Sequence, residues 1–184
     1  MNRRRMQLVL GIGVAMLLGA VGVAVAGGGR EINERLTGYE ETPMSLSTPA
    51  NGEFRARISR GSERIEWKLS YRGFETPVTQ AHIHFGQRAT TGGISVWLCG
   101  TTTNPGPEGT AVCPPMAGTV EGVIERDDVV GPTGQGIAPT EYEEFVAALR
   151  AGYTYANVHS TARPPGEIRA QLLEDDDRDH DDDD

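Results

Sequence analysis

The sequence predicts an all-β protein, an antiparallel β-sandwich with one short helix near residues 140–151. Apolar and polar residues alternate with a period of two through most of residues 35–173. Glycine and proline are frequent, with 24 Gly and 11 Pro in 184 residues, and they separate the alternating runs. Short alternating runs with turn residues between them are typical of sandwiches and barrels.

The clearest alternation lies in two neighbouring runs, 54–58 and 65–71. Arg60-Gly61-Ser62 separates them and supplies turn residues. The two runs therefore predict an antiparallel hairpin. Further strands are predicted over 36–40, 79–85, 94–99, 118–125, 153–160 and 167–172.

One segment departs from the alternation. Its apolar residues have helical spacing, at Tyr142, Phe145, Val146 and Leu149. Thr140 and Glu143 have the spacing of a capping box, which predicts the helix start. Gly152 predicts its end.

The N-terminal segment has the pattern of an export signal. Three arginines at 3–5 precede an apolar stretch over 8–25, and Ala24-Val25-Ala26 fits a cleavage site. We expect a signal peptide over 1–26, a linker over 27–35, and a secreted or cell-surface protein exported through the general secretory route. The alternative is an uncleaved segment, and only then would the chain be held at a membrane.

The net charge of −9 argues against a nucleic-acid-binding protein, which would need a basic surface. Residues 174–184 hold nine acids and no apolar residue, so they predict a disordered acidic tail. Loose cation binding by that tail is a second interpretation, although the spacing of an EF-hand is missing.

The chain has two cysteines, Cys99 and Cys113, on either side of a loop rich in Thr, Gly and Pro. In an exported protein, such a pair predicts a disulfide. A zinc site is the weaker alternative, because the sequence has no second cysteine pair.

Polar side chains follow three of the predicted strands at every second position. Residues two apart on a strand share one face. Three sets result, which are His82 with His84, Tyr155 with Asn157 and His159, and Glu167 with Arg169 and Gln171. The last two strands are predicted to form a hairpin, which places their polar faces side by side.

These sets allow three interpretations, an ordinary polar sheet face, a catalytic site without metal, and a metal site. Neutral imidazoles suit Cu or Zn, so His82, His84 and His159 are the candidate ligands. Tyr155, Asn157, Glu167, Arg169 and Gln171 would support them. Because arginine would repel a cation, we expect Glu167 and Arg169 not to bind the ion but to have a structural role or to orient an imidazole by hydrogen bonding.

Four motifs carry a resemblance to a known family. They are Leu36-Thr-Gly-Tyr-Glu-Glu-Thr-Pro43, Ala81-His-Ile-His-Phe-Gly86, Gly152-Tyr-Thr-Tyr-Ala-Asn-Val-His159 and Pro165-Gly-Glu-Ile-Arg-Ala-Gln-Leu172. The chain resembles the chordin-type (CHRD) domain over 36–172, which sets the expected domain at 36–173. Ser160 and Ala170 depart from the usual Thr and Gly. The resemblance implies an all-β domain with no established enzymatic activity, and chordin's growth-factor binding does not transfer to a single domain.

A second, weaker resemblance links His82-Ile-His84 and Gly86 to the copper-binding strand of copper–zinc superoxide dismutase. That family uses four histidines for copper, whereas the body of this chain has three. The sequence therefore favours a binding or structural module for an unidentified protein or cell-surface ligand, with Cu or Zn as the candidate cofactor. The rival function is a copper-dependent, dismutase-like oxidoreductase that uses the same histidines. No catalytic residue is assigned, because the sequence has no nucleophile elbow, P-loop or His-Glu-x-x-His motif.

Overall fold

The computed structural model describes residues 30–58 and 64–175. The strands are β1 Arg30–Thr37, β2 Asn51–Ile58, β3 Ile65–Arg72, β4 Val78–Phe85, β5 Gly93–Cys99, β6 Gly118–Ile124, β7 Thr154–Ser160 and β8 Ile168–Leu172, with the helix α1 at Tyr142–Arg150. Short 3₁₀ turns lie at Gly38–Glu40, Arg126–Asp128 and Thr133–Gln135. No helix in these two ranges is long and apolar enough to cross a bilayer.

The eight strands form one continuous antiparallel sheet in the order β5-β4-β7-β8-β1-β2-β3-β6. The two edge strands, β5 and β6, also contact each other, so the sheet curls into a shape close to a barrel. The all-β antiparallel class with one short helix is thus confirmed, while the two-sheet sandwich is not. Alternation assigns each residue to a face but does not fix how strands are grouped into sheets.

The apolar residues of the alternating runs line the inner face of this curled sheet. The predicted hairpin is confirmed as β2 and β3, in which Phe54 faces Leu69 and Ala56 faces Trp67. Phe54 and Leu69 are fully buried. The predicted turn, Arg60-Gly61-Ser62, lies outside the described residues.

Strand β1 differs from the sequence prediction at both ends. It begins at Arg30, inside the segment expected to be a linker, because residues 30–37 pair with β2 along their whole length. It ends at Thr37 instead of continuing to 40, because the Gly38 carbonyl accepts the amide hydrogens of Glu41 and Leu46 and turns the chain. At the other terminus, Glu174 is buried and forms an ion pair with Arg30, so the first residue of the expected tail belongs to the folded domain.

The helix α1 buries the four apolar side chains expected, Tyr142, Phe145, Val146 and Leu149. The capping box predicted at its start is wrong. Thr140 has a left-handed backbone with φ of 69°, and the helix begins two residues later at Tyr142. Glu143 pairs with Arg126 instead, and the Glu141 carboxylate accepts the amide hydrogen of Ala138 at 2.7 Å.

The predicted disulfide is confirmed between Cys99 and Cys113, whose Cα atoms lie 5.0 Å apart. It closes the loop that leaves β5, and both cysteines are buried in the core. Closing a loop of about 15 residues restricts the unfolded chain and contributes about 3 kcal/mol on the chain-entropy estimate.

Replacing both cysteines by serine should therefore lower the free energy of unfolding by about 3 kcal/mol. Urea unfolding of the wild type and of the double variant Cys99→Ser, Cys113→Ser measures this difference. The wild type with reductant is the matched control and should lose a similar amount. A loss below about 1 kcal/mol in both samples would contradict a stabilising role for the bridge.

Candidate metal centre

Strand register brings the three polar sets together on one face of β4, β7 and β8. Across β4 and β7, the paired residues are Gln80 with His159, His82 with Asn157, and His84 with Tyr155. Across β7 and β8, they are Tyr155 with Gln171 and Asn157 with Arg169. Paired residues project to the same side of a sheet, so the predicted side-by-side arrangement is confirmed.

This face is buried, unlike the ordinary polar face of a sheet. Every residue of β7 and β8 is buried, although only alternate residues face the apolar interior. Three segments cover the polar side, residues 38–50, 86–92 and 161–166, and each hydrogen-bonds to it. The polar side chains are therefore held out of water and depend on protein partners.

The three imidazoles lie next to one another in this buried layer. The exposed fractions of His82, His84 and His159 are 1%, 8% and 5%. One ring nitrogen from each lies within 4.8 Å of the other two. A single point is then no more than about 2.8 Å from all three nitrogens, compared with metal–nitrogen bonds of about 2.0–2.1 Å.

Backbone carbonyls orient two of the three rings. His84 Nδ1 lies 3.0 Å from the Gly92 carbonyl oxygen, and His159 Nδ1 lies 2.9 Å from that of Pro164. A carbonyl oxygen only accepts, so each Nδ1 donates a proton and each Nε2 keeps a free lone pair in the neutral ring. This is the tautomer in which a histidine binds a metal through Nε2.

The remaining contacts of the cluster fit two states. His82 Nδ1 lies 3.2 Å from His159 Nε2. That distance suits a hydrogen bond, and it is also close to the roughly 3.3–3.5 Å that separates two nitrogens bound to one ion. His82 Nε2 and His84 Nε2 are buried without a hydrogen-bond partner in the described part of the chain. Unpaired buried nitrogens are costly, and an ion bound by His84 Nε2 would satisfy one of the two.

The environment keeps these imidazoles neutral. Burial, with a smaller contribution from the neighbouring imidazoles, lowers the pKa of His82 to about 2 and that of His84 to about 4. Burial also lowers the pKa of His159. A metal ligand must be the neutral imidazole, so the protein maintains the binding form well below neutral pH.

Tyr155, Arg169 and Gln171 support the cluster by fixing the segment 86–92 above it. The Tyr155 ring stacks on His84 with centroids 4.8 Å apart, and the Arg169 guanidinium lies 3.5 Å from the centre of the same ring. Arg169 donates to the carbonyls of Thr90 and Gln87 at 2.7 and 3.2 Å. Gln171 donates to those of Gly86 and Gly152 at 2.9 and 2.7 Å.

In the described part of the chain, the hydrogen bonds of the Glu167 and Arg169 side chains go to groups other than the imidazoles. The carbonyls of Gly92 and Pro164 orient two of the imidazoles. Glu167 accepts hydrogen bonds from Thr48, at 2.6 Å, and from Ser160. Its charge is thereby used to hold the segment 38–50 against the sheet.

Sequence reasoning missed Glu41. The Asn157 side chain donates to its carboxylate at 2.6 Å, and burial raises the pKa of Glu41 to about 7. Gly166 allows this approach, because a Cβ there would lie 2.6 Å from Asn157 and 2.8 Å from Glu41. The signal was available in the motif at 36–43, in which Glu41 precedes Pro43.

Sequence reasoning also missed Trp97, which borders the cluster from β5. Its ring meets His82 edge-on with centroids 4.2 Å apart. The loop closed by the disulfide lies over Trp97, because a Cβ at Gly106 would come within 2.7 Å of its ring. The predicted disulfide and the predicted histidine cluster are thus connected through a residue to which the sequence assigned no role.

One surface groove lies away from this cluster. It has a volume of about 570 Å³ and is lined by residues of β1, β2, β3 and β6, including Arg35, Glu53 and Arg72. None of the three histidines lines it. The chemistry of the candidate site is therefore that of an enclosed cluster and not of an open cleft.

The fold and the cluster define a class, an all-β domain whose buried polar face brings three neutral histidines to one point. The CHRD domain family matches residues 32–172. The chain belongs to this family, as its four motifs indicated. No curated protein and no solved structure matches the chain.

The shifted pKa values predict how stability depends on pH in the metal-free protein. An unfolded histidine takes up a proton near pH 6.5, whereas folded His84 does so only near 4 and His82 only near 2. The unfolded chain then binds more protons, so stability falls as the pH drops from about 6.5 to 4, by roughly 1 kcal/mol per pH unit for each such imidazole. Urea unfolding in the presence of a chelator, at several pH values, measures the loss.

Glu41 acts in the opposite direction, because its folded pKa near 7 exceeds the unfolded value of 4.5. The folded chain takes up this proton on acidification, which offsets part of the loss. Glu41→Gln should therefore make the decrease in stability between pH 7 and 4.5 steeper than in the wild type. His180→Ala, in the tail, is the control and should not change the slope. Equal slopes for Glu41→Gln and the wild type would show that Glu41 does not titrate in this range.

Proposed function

We propose that this chain is an exported CHRD-domain binding or structural module that holds one transition-metal ion through His82, His84 and His159. The observation that supports a metal site is that three imidazole nitrogens lie within 4.8 Å of one another in a buried layer. Copper and zinc are the ions that such a donor set suits. The ion would connect β4 to β7, and through them the segments that cover the polar face.

Export is supported by the segment at 1–26, which has the pattern of a signal peptide, and by the disulfide, which is typical of oxidising compartments. Outside the cell, the surface of the module would be accessible to a protein or to another cell-surface ligand. The acidic residues at the C-terminus would keep such a module soluble, in line with the net charge of −9.

The rival function, a copper-dependent oxidoreductase, has less support. A metal that turns over substrate needs an open ligand position and a route to it. The three imidazoles are at most 8% exposed and lie under the segments 86–92 and 161–166. The enclosed geometry favours a bound ion with a structural role.

The full-length chain, loaded with a mixture of Cu(I) and Zn(II) and then desalted, should retain one metal ion per molecule. His82→Phe should reduce metal affinity at least about 100-fold, because loss of a group that only hydrogen-bonds to a metal ligand already costs about 10–100-fold. Phenylalanine keeps the ring contact with Trp97, and within the described ranges the His82 side chain hydrogen-bonds to His159 alone. Elemental analysis and competition with a chromophoric chelator measure the stoichiometry and the affinity.

His180→Ala is the matched control, since it removes the one histidine outside the cluster. Its affinity should stay within about threefold of the wild type. If His82→Phe and the wild type bind both ions equally, the cluster is a hydrogen-bonded structural layer and the proposed metal site is wrong.

A further inference from the structure

On the basis of the proposed metal site, we propose that the cluster selects a monovalent d¹⁰ ion, Cu(I), over the divalent ion Zn(II). The surroundings of the three imidazoles determine which ionic charge and which number of ligands the site favours. The presence of three histidines alone leaves both open.

The ligand set carries no negative charge. The group of converging donors consists of His82, His84 and His159, with no Asp, Glu or Cys among its members. In the described ranges, no carboxylate forms an ion pair with any of the three. Cys99 and Cys113 are bonded to each other and offer no thiolate. A bound ion would keep its full charge.

A fixed positive charge lies beside the cluster. The Arg169 guanidinium lies over the Tyr155 ring, and that ring stacks directly on His84. Arg169 is held there by two backbone carbonyls, those of Thr90 and Gln87. Its repulsion acts on any cation in the cluster and is twice as large for a divalent ion as for a monovalent one.

Burial adds a stronger discrimination. The cost of moving an ion from water into a medium of low dielectric constant grows with the square of its charge, so a divalent ion pays about four times the cost of a monovalent ion of the same size. Here the walls are aromatic on two sides, with Trp97 against His82 and Tyr155 against His84. Without an anionic ligand, nothing in the cluster compensates the second charge.

Ligand number points the same way. Zinc in proteins is almost always tetrahedral, and its three-histidine sites keep an open fourth position for water. Cu(I) is satisfied by three ligands. The structure brings three donors together and closes the space above them with the segment 86–92, so it supplies the number that Cu(I) needs.

Gln80 provides a direct way to change the charge. It is the strand partner of His159, so its side chain projects to the side of the cluster, and it is partly exposed. Gln80→Glu is nearly isosteric and adds one carboxylate beside the imidazoles. Ser70→Glu adds the same charge on β3, at the groove lined by Arg35, and serves as the matched control.

The experiment measures the affinity of the full-length chain for Cu(I), without oxygen and against a chromophoric Cu(I) chelator, and for Zn(II) against a zinc indicator. Compared with the wild type, the His82→Phe variant should bind Cu(I) at least about 100-fold more weakly and Zn(II) less than about tenfold more weakly. Gln80→Glu should strengthen Zn(II) binding at least tenfold and change Cu(I) binding less than threefold. Ser70→Glu should change neither by more than threefold. Ag(I), a monovalent ion that is stable in air, should follow Cu(I).

The failure of this inference is distinct from the failure of the metal site. If Zn(II) binding depends on His82 by 100-fold or more and Gln80→Glu leaves it unchanged, the site exists but does not select by charge, and the inference is overturned. If neither ion depends on His82, the proposed function itself fails. X-ray absorption on the loaded wild type gives a second measure, since three nitrogen ligands on Cu(I) are expected and four ligands on the ion would contradict the inference.

Discussion

Strands β7 and β8 lie in the middle of the sheet, and burial of both of their faces is the constraint on which the rest of the structure depends. One face meets the apolar interior in the ordinary way. The other carries side chains that each need a hydrogen-bond partner, because an unpaired buried polar group costs about 1–3 kcal/mol. Three segments outside the sheet provide these partners with their backbone carbonyls and side chains. These hydrogen bonds to the polar face of the sheet hold the three segments in place.

The same constraint explains the chemistry of the histidine cluster. Because the Gly92 and Pro164 carbonyls accept hydrogen bonds from Nδ1 of His84 and His159, the Nε2 lone pairs of these rings point into the cluster. Buried lone pairs without hydrogen-bond donors destabilise the metal-free fold, but the same lone pairs are well placed to bind a cation. The polar layer therefore fastens the covering segments and brings neutral imidazole nitrogens to one point, the arrangement on which the proposed metal site rests.

Sequence alone predicted much of this layer, because a strand period of two assigns residues to faces without knowledge of the fold. It placed His82 with His84 and Tyr155 with Asn157, and the short connection before residue 167 placed β8 beside β7. It did not predict that the face is buried, since burial depends on distant segments such as 38–50. Glu41 and Trp97 escaped notice for the same reason, as Glu41 reaches Asn157 and Trp97 reaches His82 from other parts of the chain. The barrel-like closure and the start of the helix at Tyr142 depend on strand order and on the Arg126–Glu143 pair, which local patterns do not contain.

The most direct test of the central claim is the protonation state of each imidazole, observed by long-range ¹H–¹⁵N NMR of the full-length chain with and without Cu(I). In the metal-free protein, the account predicts that His84 and His159 carry their proton on Nδ1 at neutral pH. On addition of one equivalent of Cu(I), their Nε2 signals and one nitrogen signal of His82 should shift together, while both Nδ1 protons remain. Unchanged signals from all three rings in the presence of excess Cu(I), with the proton still shared between His82 and His159, would contradict it.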